Sequence, residues 1–349
     1  MTRELSFAQA LCEATDLCLS RDPSVYVMGL GVPDVKGLFG STAGLVKKHG
    51  PRRVRDMPTA ENGMTGVALG SALVGMRPIL THQRVDFALL AMEQIVNQAA
   101  KWHYMFGGNA RAPMVMRLIV GRGWGQGPQH AQSLQAWFAH VPGLRVAMPT
   151  TAYDAKGMLI SAVEDDGPVV LIEHRWLYNL RSEVPEEIYR VPLDRARVAR
   201  VGGDVTVAAT SYMTVEALRA AQQLSRRGIE IEVVDLRSIN PLDIDALLAS
   251  VTKTGRLVVA DTGTTSFGVG AEVVARVSEE AFSELNAPPR RVASPDAPSP
   301  SAPSLSIEYF PRALEIECAV HACLGLPPPL AEPCAHPLDI PDPDFVGPF

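Results

Sequence analysis

Apolar residues in the first 180 positions fall into short β-branched runs separated by stretches in which they recur every three or four residues. The runs are Val25 to Met28, Arg53 to Arg55, Pro78 to Thr81, Met114 to Leu118, Arg145 to Met148 and Val169 to Ile172. Each has the length of a buried strand. Between them, Phe7 to Leu19, Gly63 to Val74, Phe87 to Tyr104 and Ala152 to Val163 carry the helical period. Thr150 and Thr151 stand before the last of these as caps. Strands alternating with helices predict an α/β fold with a largely parallel sheet covered on both faces.

The pattern breaks between Arg181 and Asp204, where Pro185, Pro192 and the turn Gly202-Gly203-Asp204 mark a link between domains. A second α/β unit follows: strand DVTVAA, helix VEALRAAQQLSRRG, strand IEIEVVDL, helix LDIDALLASV and strand RLVVAD. Their short spacing is that of repeated right-handed crossovers. This unit is expected to end near Cys323. Beyond it, LPPPLAEPCAHPLDIPDPDFVGPF is too rich in proline for helix or central strand, so a wrapping arm or a disordered tail is expected.

The length of 349 residues exceeds what one core usually organises, which agrees with two domains. A net charge of −6 gives no general attraction to nucleic acid or to anionic membrane. Glu4, Glu13 and Asp16 interrupt the apolar residues at the start, so neither a signal peptide nor a membrane span is expected there. Five cysteines, Cys12, Cys18, Cys318, Cys323 and Cys334, include no CxxC pair and are odd in number. That argues against a disulfide framework or a zinc site and favours a reducing cytoplasm.

Three segments carry the candidate chemistry: DMPTAENGMTGVALGSALVGMRP at 56–78, HQRVDFALLAMEQIVNQAAKWHYMFGG at 82–108 and GRGWGQGPQHAQSLQAWFAHVPGLRV at 121–146. Taken singly, each has a structural explanation. Glu61 suits the first turn of a helix through the helix dipole. Gly63, Gly66 and Gly70 suit close approach of another backbone, and His130 suits a structural hydrogen bond. The run Gly121, Gly123, Gly125, Gly127 fits neither the dinucleotide fingerprint nor the P-loop.

Together, in this order and spacing, the segments resemble the beta subunits of the decarboxylase components of 2-oxo acid dehydrogenases, of the pyruvate, branched-chain and acetoin type. RVRDMPTAENGMTG, MEQIVNQAAKWHYMFGG, GPQHAQS, HVPGLRV, DAKGMLISAVEDDGPV and SPDAPSPSAPSL carry the resemblance, which extends over residues 3 to 320. It implies a transketolase-like fold of two open sheet domains: a thiamine diphosphate pyrimidine-binding domain at 1–182, a linker at 183–203, a transketolase C-terminal-like domain at 204–325 and a proline-rich tail at 326–349.

The resemblance also implies roles. Glu61 would hydrogen-bond the aminopyrimidine of thiamine diphosphate and promote removal of the thiazolium C2 proton. Phe87 would stack on that ring, with an ordinary helix-core position as the alternative, and Gln83 would lie near the same pocket. His130 would face the reacting carbon and orient the substrate; His140 is read as structural. Backbone carbonyls of Met114, Ala162 and Asp165 would hold a potassium ion, although a helix-ending turn explains the DDGP sequence equally well.

Such enzymes hold the diphosphate through Mg²⁺ bound by a Gly-Asp-Gly motif and a downstream asparagine, and this chain has no such pair. The resemblance therefore implies that the Mg²⁺ ligands come from an alpha subunit in an α2β2 heterotetramer, with a lipoyl acyltransferase as a further partner and a small 2-oxo acid as substrate. Departures from the family pattern leave the acyl acceptor open. Leu30 stands where an acidic residue is common, and Arg84, where an aromatic or apolar one is commoner, either selects an acidic or phosphorylated substrate or pairs with the neighbourhood of Glu61 or with Asp86. The same half-site fits transfer of a pyruvate-derived acetyl unit to an aldehyde or ketone, such as a nucleotide sugar.

Overall fold

In the computed structural model, residues 2–121 and 126–329 are described. Gly123 and Gly125 of the glycine run, Cys334 and residues 330–349 of the proline-rich tail lie outside them. The chain divides into two compact units. The first comprises residues up to Val120 together with Trp137–Leu193; the second comprises the described residues of Gly121–Ala136 and those from Asp194 onward.

From the N-terminus to the end of the first unit, the elements are β1 (Thr2–Ser6), α1 (Phe7–Arg21), β2 (Val25–Gly29), α2 (Leu45–His49), β3 (Val54–Arg55), α3 (Glu61–Leu73), β4 (Arg77–His82), α4 (Val85–Ala88), α5 (Ala100–Met105), β5 (Val115–Val120), α6 (Gln135–Ala139), β6 (Arg145–Ala147), α7 (Ala152–Glu164), β7 (Val169–His174) and β8 (Arg181–Pro185). Strands β6-β7-β5-β4-β2-β3 lie in that order, every pair parallel. Residues of β2, β5 and β7 are buried along their whole length. That is why these strands read as continuous apolar runs. Fully burying a side chain such as Leu11, Met28, Ile79 or Leu80 contributes about 1.5–3 kcal/mol.

Two polar devices fix this unit. Thr151 caps α7 in a reciprocal box with Asp154, as the threonine pair predicts. At the centre, Arg117 of β5 and Glu173 of β7, both without exposed side-chain surface, join through Nε–Oε1 at 2.5 Å and Nη2–Oε2 at 2.9 Å. Ser41 accepts from the same guanidinium at 2.9 Å, and the Tyr178 hydroxyl donates to Glu173. These bonds offset part of the cost of burying the pair; the remaining guanidinium nitrogen, Arg117 Nη1, is buried with no hydrogen-bond partner among the described residues.

The structure departs from the expected elements in two places. The single helix expected from Phe87 to Tyr104 is broken into α4, a 3₁₀ turn at Leu89–Ala91, a π-helical stretch at Glu93–Ala99 and α5. Hydrophobic spacing alone does not separate these hydrogen-bond patterns. The expected link also holds regular structure: β8 pairs antiparallel with β1, placing Arg3 opposite Val184.

The second unit contains β9 (Arg197–Arg200), β10 (Val205–Ala209), α8 (Tyr212–Ser225), β11 (Ile231–Asp235), β12 (Ser238–Asn240), α9 (Ile244–Thr254), β13 (Leu257–Thr264), α10 (Val269–Glu280), β14 (Arg290–Ser294), α11 (Pro303–Tyr309) and α12 (Ala313–Cys323). Its sheet runs β14-β13-β10-β11-β9, with only the edge strand β9 antiparallel. Val207, Val233, Val258, Met213, Leu224, Ile316 and Val320 fill one core between sheet and helices. Cys12, Cys18, Cys318 and Cys323 are free thiols. No helix among the described residues is long and apolar enough to cross a membrane.

Candidate active site

In the first sheet the chain passes from β2 to β3 on one side, then returns to β4 on the other side of β2. Connections therefore reverse between β2 and β4, and in open α/β sheets the crevice outside the carboxyl ends at such a reversal is where ligands bind. Gly29 ends β2 against β4 so closely that a Cβ there would lie 2.6 Å from the Thr81 carbonyl oxygen. The next carbonyl, Leu30, accepts a hydrogen bond from Gln83 Nε2 at 2.8 Å. Gly31, at φ 72°, donates its amide to Asp56 Oδ1 at 2.9 Å. Three loops, after β2, β3 and β4, are thereby tied together at this edge.

Glu61 opens α3, which packs against β4 and α4. It is buried, and among the described residues no side chain or amide hydrogen-bonds its carboxylate. The preceding Ala60 offers no side-chain cap, so Glu61 stands at an uncapped helix start. A buried carboxylate at a crevice with its acceptor sites open is arranged to take a donor from a ligand. Below it, Thr65 Oγ1 and His82 Nε2 are 3.3 Å apart, and burial pushes the His82 imidazole down to about 4, so it is neutral.

Phe87 lies on α4 with 38% of its surface exposed. It is not a helix-core residue, and its ring is accessible for stacking. Arg84, the N-cap position of α4, is partly buried; burial lowers its pKa and the Asp86 carboxylate acts the other way. Burial, and then the field of Arg84, bring the Arg175 guanidinium down to about 10. Arg175 lies over the Phe39 ring at 5.2 Å. Two cations thus share this edge of the sheet, one of them Arg84.

The structure brings Glu61, Gln83 and Phe87 onto elements that pack together at the carboxyl end of the first sheet. His130 is carried by the segment that packs with the second unit, in a turn where its amide donates to the Gly127 carbonyl at 3.1 Å. Met114, Ala162 and Asp165 lie at the amino edge of the first sheet, away from the crevice. There the Met114 carbonyl accepts from Val169 N at 2.9 Å. Arg77 Nη1 donates to the carbonyls of Val163 at 3.0 Å and Asp165 at 2.9 Å, and Nη2 to Asp166 Oδ1 at 2.6 Å. Among the described residues no group of three or more His, Cys, Asp and Glu is placed to hold a metal ion. Asp204, beside Gly203, spends its carboxylate on the Glu230 amide at 2.6 Å.

Sequence reading missed Asp56 and the Thr65–His82 pair. Their only sequence signal is position: each sits within a few residues of the carboxyl end of a strand or on the helix that follows one.

The class of protein follows from this fold and crevice together with the family comparisons. Residues 3–181 match the transketolase pyrimidine-binding domain and residues 194–316 the transketolase C-terminal domain. The chain is 43% identical to the beta subunit of acetoin:2,6-dichlorophenolindophenol oxidoreductase from Cupriavidus necator, covering 91% of this chain and 97% of that one. It is 41% identical to a mitochondrial pyruvate dehydrogenase E1 component beta subunit from Oryza sativa subsp. japonica, over 92% and 87%. A split-gene transketolase solved as an inactive beta4 tetramer superposes with a TM-score of 0.76 at 26% identity, covering 92% of this chain and 99% of that one. The chain belongs to the transketolase-like family of dehydrogenase E1 beta subunits, a family that uses thiamine diphosphate.

Proposed function

We propose that this chain is the beta half of a thiamine-diphosphate enzyme that decarboxylates a 2-oxo acid and passes on the acyl group, with an alpha subunit completing the active site. The observation that carries this reading is Glu61: a buried carboxylate with no partner among the described residues, at the sheet reversal of a pyrimidine-binding domain. When bound, thiamine diphosphate supplies a carbon nucleophile and an electron sink for decarboxylation. Glu61 would hold the proton at N1′ of its aminopyrimidine, a charge-assisted hydrogen bond made by a group that can share that proton. Phe87 would stack on the ring, and Gln83, fixed by the Leu30 carbonyl, would border it. His130 would orient the substrate carboxylate by donating a hydrogen bond.

The Mg²⁺ that anchors the diphosphate would be held by the alpha subunit. A potassium ion would be held by the carbonyls of Met114, Ala162 and Asp165, in the corner where Arg77 already brings a cation to Val163 and Asp165. That corner lies at the opposite edge from Glu61, so the ion would tie a helix end to the sheet and take no part in the chemistry. Assembly is supported by α3. A Cβ at Gly63 or Gly70 would meet nothing within 4 Å, and one at Gly66 would meet only the Gln94 side chain. The glycines thus line a face that no backbone among the described residues covers, with Val67 and Val74 exposed on the same helix and at its end.

The test is to assay the chain alone and co-expressed with its alpha subunit, using a panel of 2-oxo acids with a lipoyl domain or an aldehyde as acceptor. Turnover is expected only in the assembled enzyme, with transfer to the lipoyl domain. Robust decarboxylation by the isolated chain would contradict the shared-site reading, and transfer only to aldehydes would replace the acceptor.

A further inference from the structure

The sheet of the second unit has its own reversal. From β10 the chain passes to β11 on one side and later to β13 on the other. At the carboxyl ends of β10 and β13, where this architecture ordinarily receives a ligand, stands a side chain from far upstream. Gln135, fully buried, donates Nε2 to Asp261 Oδ1 at 2.8 Å and to Thr262 Oγ1 at 3.2 Å. Thr210 Oγ1 donates to the same Asp261 oxygen at 2.6 Å. Asp261 is itself buried, at 1% exposure.

The surroundings are shaped for this contact. A Cβ on Gly263 would lie 2.8 Å from Asp261 Oδ2, 3.2 Å from Gln135 Nε2 and 3.7 Å from the Ser133 carbonyl oxygen. At the other end of the same segment, a Cβ on Gly127 would collide with Ser301 Oγ. Residues 126–136 are thus held against the second unit at both ends, and His130 sits between the two attachments.

We propose that Asp261, together with Thr210, is a positioning group that grips Gln135 and so fixes the loop presenting His130. A buried carboxylate that loses one of its donors keeps its desolvation cost with less to offset it, so the grip is favoured. Only four residues, Ala131 to Leu134, separate His130 from Gln135. A displacement of about 1 Å in a group aligned with a reacting centre lowers turnover by about 100-fold. Its catalytic meaning rests on the reading of His130 given above; the grip on the loop does not.

The test compares Gln135→Glu, Asp261→Asn combined with Gln135→Glu, and Gln135→Met, with His130→Ala as the reference. Amide hydrogen exchange over residues 126–134 is measured in the full chain, and kcat, KM and thiamine diphosphate affinity in the complex with the alpha subunit. Gln135→Glu sets two carboxylates against each other. It should raise exchange across the loop and lower kcat about 10- to 100-fold, leaving cofactor affinity unchanged. The double variant restores a single carboxylate and an amide donor in exchanged positions, and should recover most of both losses. Gln135→Met removes the donor without adding charge, and remains informative if Gln135→Glu does not fold. Unchanged loop exchange in Gln135→Met and Gln135→Glu would overturn the grip, as would a double variant no better than the single one. If exchange responds as expected but His130→Ala leaves kcat intact, the assignment of His130 fails and the grip on the loop stands.

Discussion

The glycines of α3 allow a prediction whose sign differs between the isolated chain and the assembly. Gly70 lies in the helix interior, its φ is not positive, and a Cβ there meets nothing within 4 Å. Replacing it with alanine should stabilise the isolated chain by about 0.8–1 kcal/mol through helix propensity alone. For a unit of this size that raises the melting temperature by about 2–4 °C. Gly70→Leu starts from the same open Cβ position, yet it projects a branched side chain from the face where another subunit is expected to approach. Thermal melting of the isolated chain and sedimentation velocity of the co-expressed complex measure the two effects. Gly70→Ala should melt higher, and Gly70→Leu should fail to reach the mass of the wild-type complex. A Gly70→Leu complex of wild-type mass and stability would show that this face points to solvent and would refute the packing argument.

Three further outcomes follow from the first unit. Arg117→Met leaves the Glu173 carboxylate buried without its cation and should cost about 3–5 kcal/mol in urea unfolding, whereas pairing it with Glu173→Leu should cost much less. The His82 imidazole is depressed from 6.5 to about 4 in the folded state. As pH falls below 6.5, the unfolded chain takes up a proton that the folded chain refuses, so about 3 kcal/mol of stability present above pH 6.5 is lost by pH 4. His82→Asn should flatten that part of the stability profile; an unchanged slope would contradict it. Finally, the melting temperature should be higher in KCl than in NaCl at equal concentration, and Arg77→Met, which frees the Val163 and Asp165 carbonyls, should enlarge the difference.

Strands β2, β4, β5 and β7 were legible to within two residues, because strands buried on both faces leave unbroken apolar runs. The ribbon of β1 with β8 was not, since neither short charged segment signals a strand without its partner some 180 residues away. The π-helical stretch at Glu93–Ala99 was hidden because its apolar spacing also fits an ordinary helix. Glu61, Gln83 and Phe87 were proposed for the site from their motif. The sheet reversal that explains their position appears only once strand order is known. Gln135 and Asp261 were invisible for a related reason: a hydrogen bond between residues 126 positions apart has no local pattern.

The central claim is that Glu61 handles the proton of the pyrimidine end of thiamine diphosphate. It is tested most directly by exchange of the cofactor's C2 proton with deuterated solvent in the complex of this chain with its alpha subunit. Glu61→Gln keeps the size and hydrogen-bonding capacity of the side chain but removes its charge. Exchange should slow by about 100-fold or more, within the range of general acid–base effects, with only a small loss of cofactor affinity. Equal exchange rates in the variant and the wild type, at full cofactor occupancy, would remove Glu61 from the chemistry.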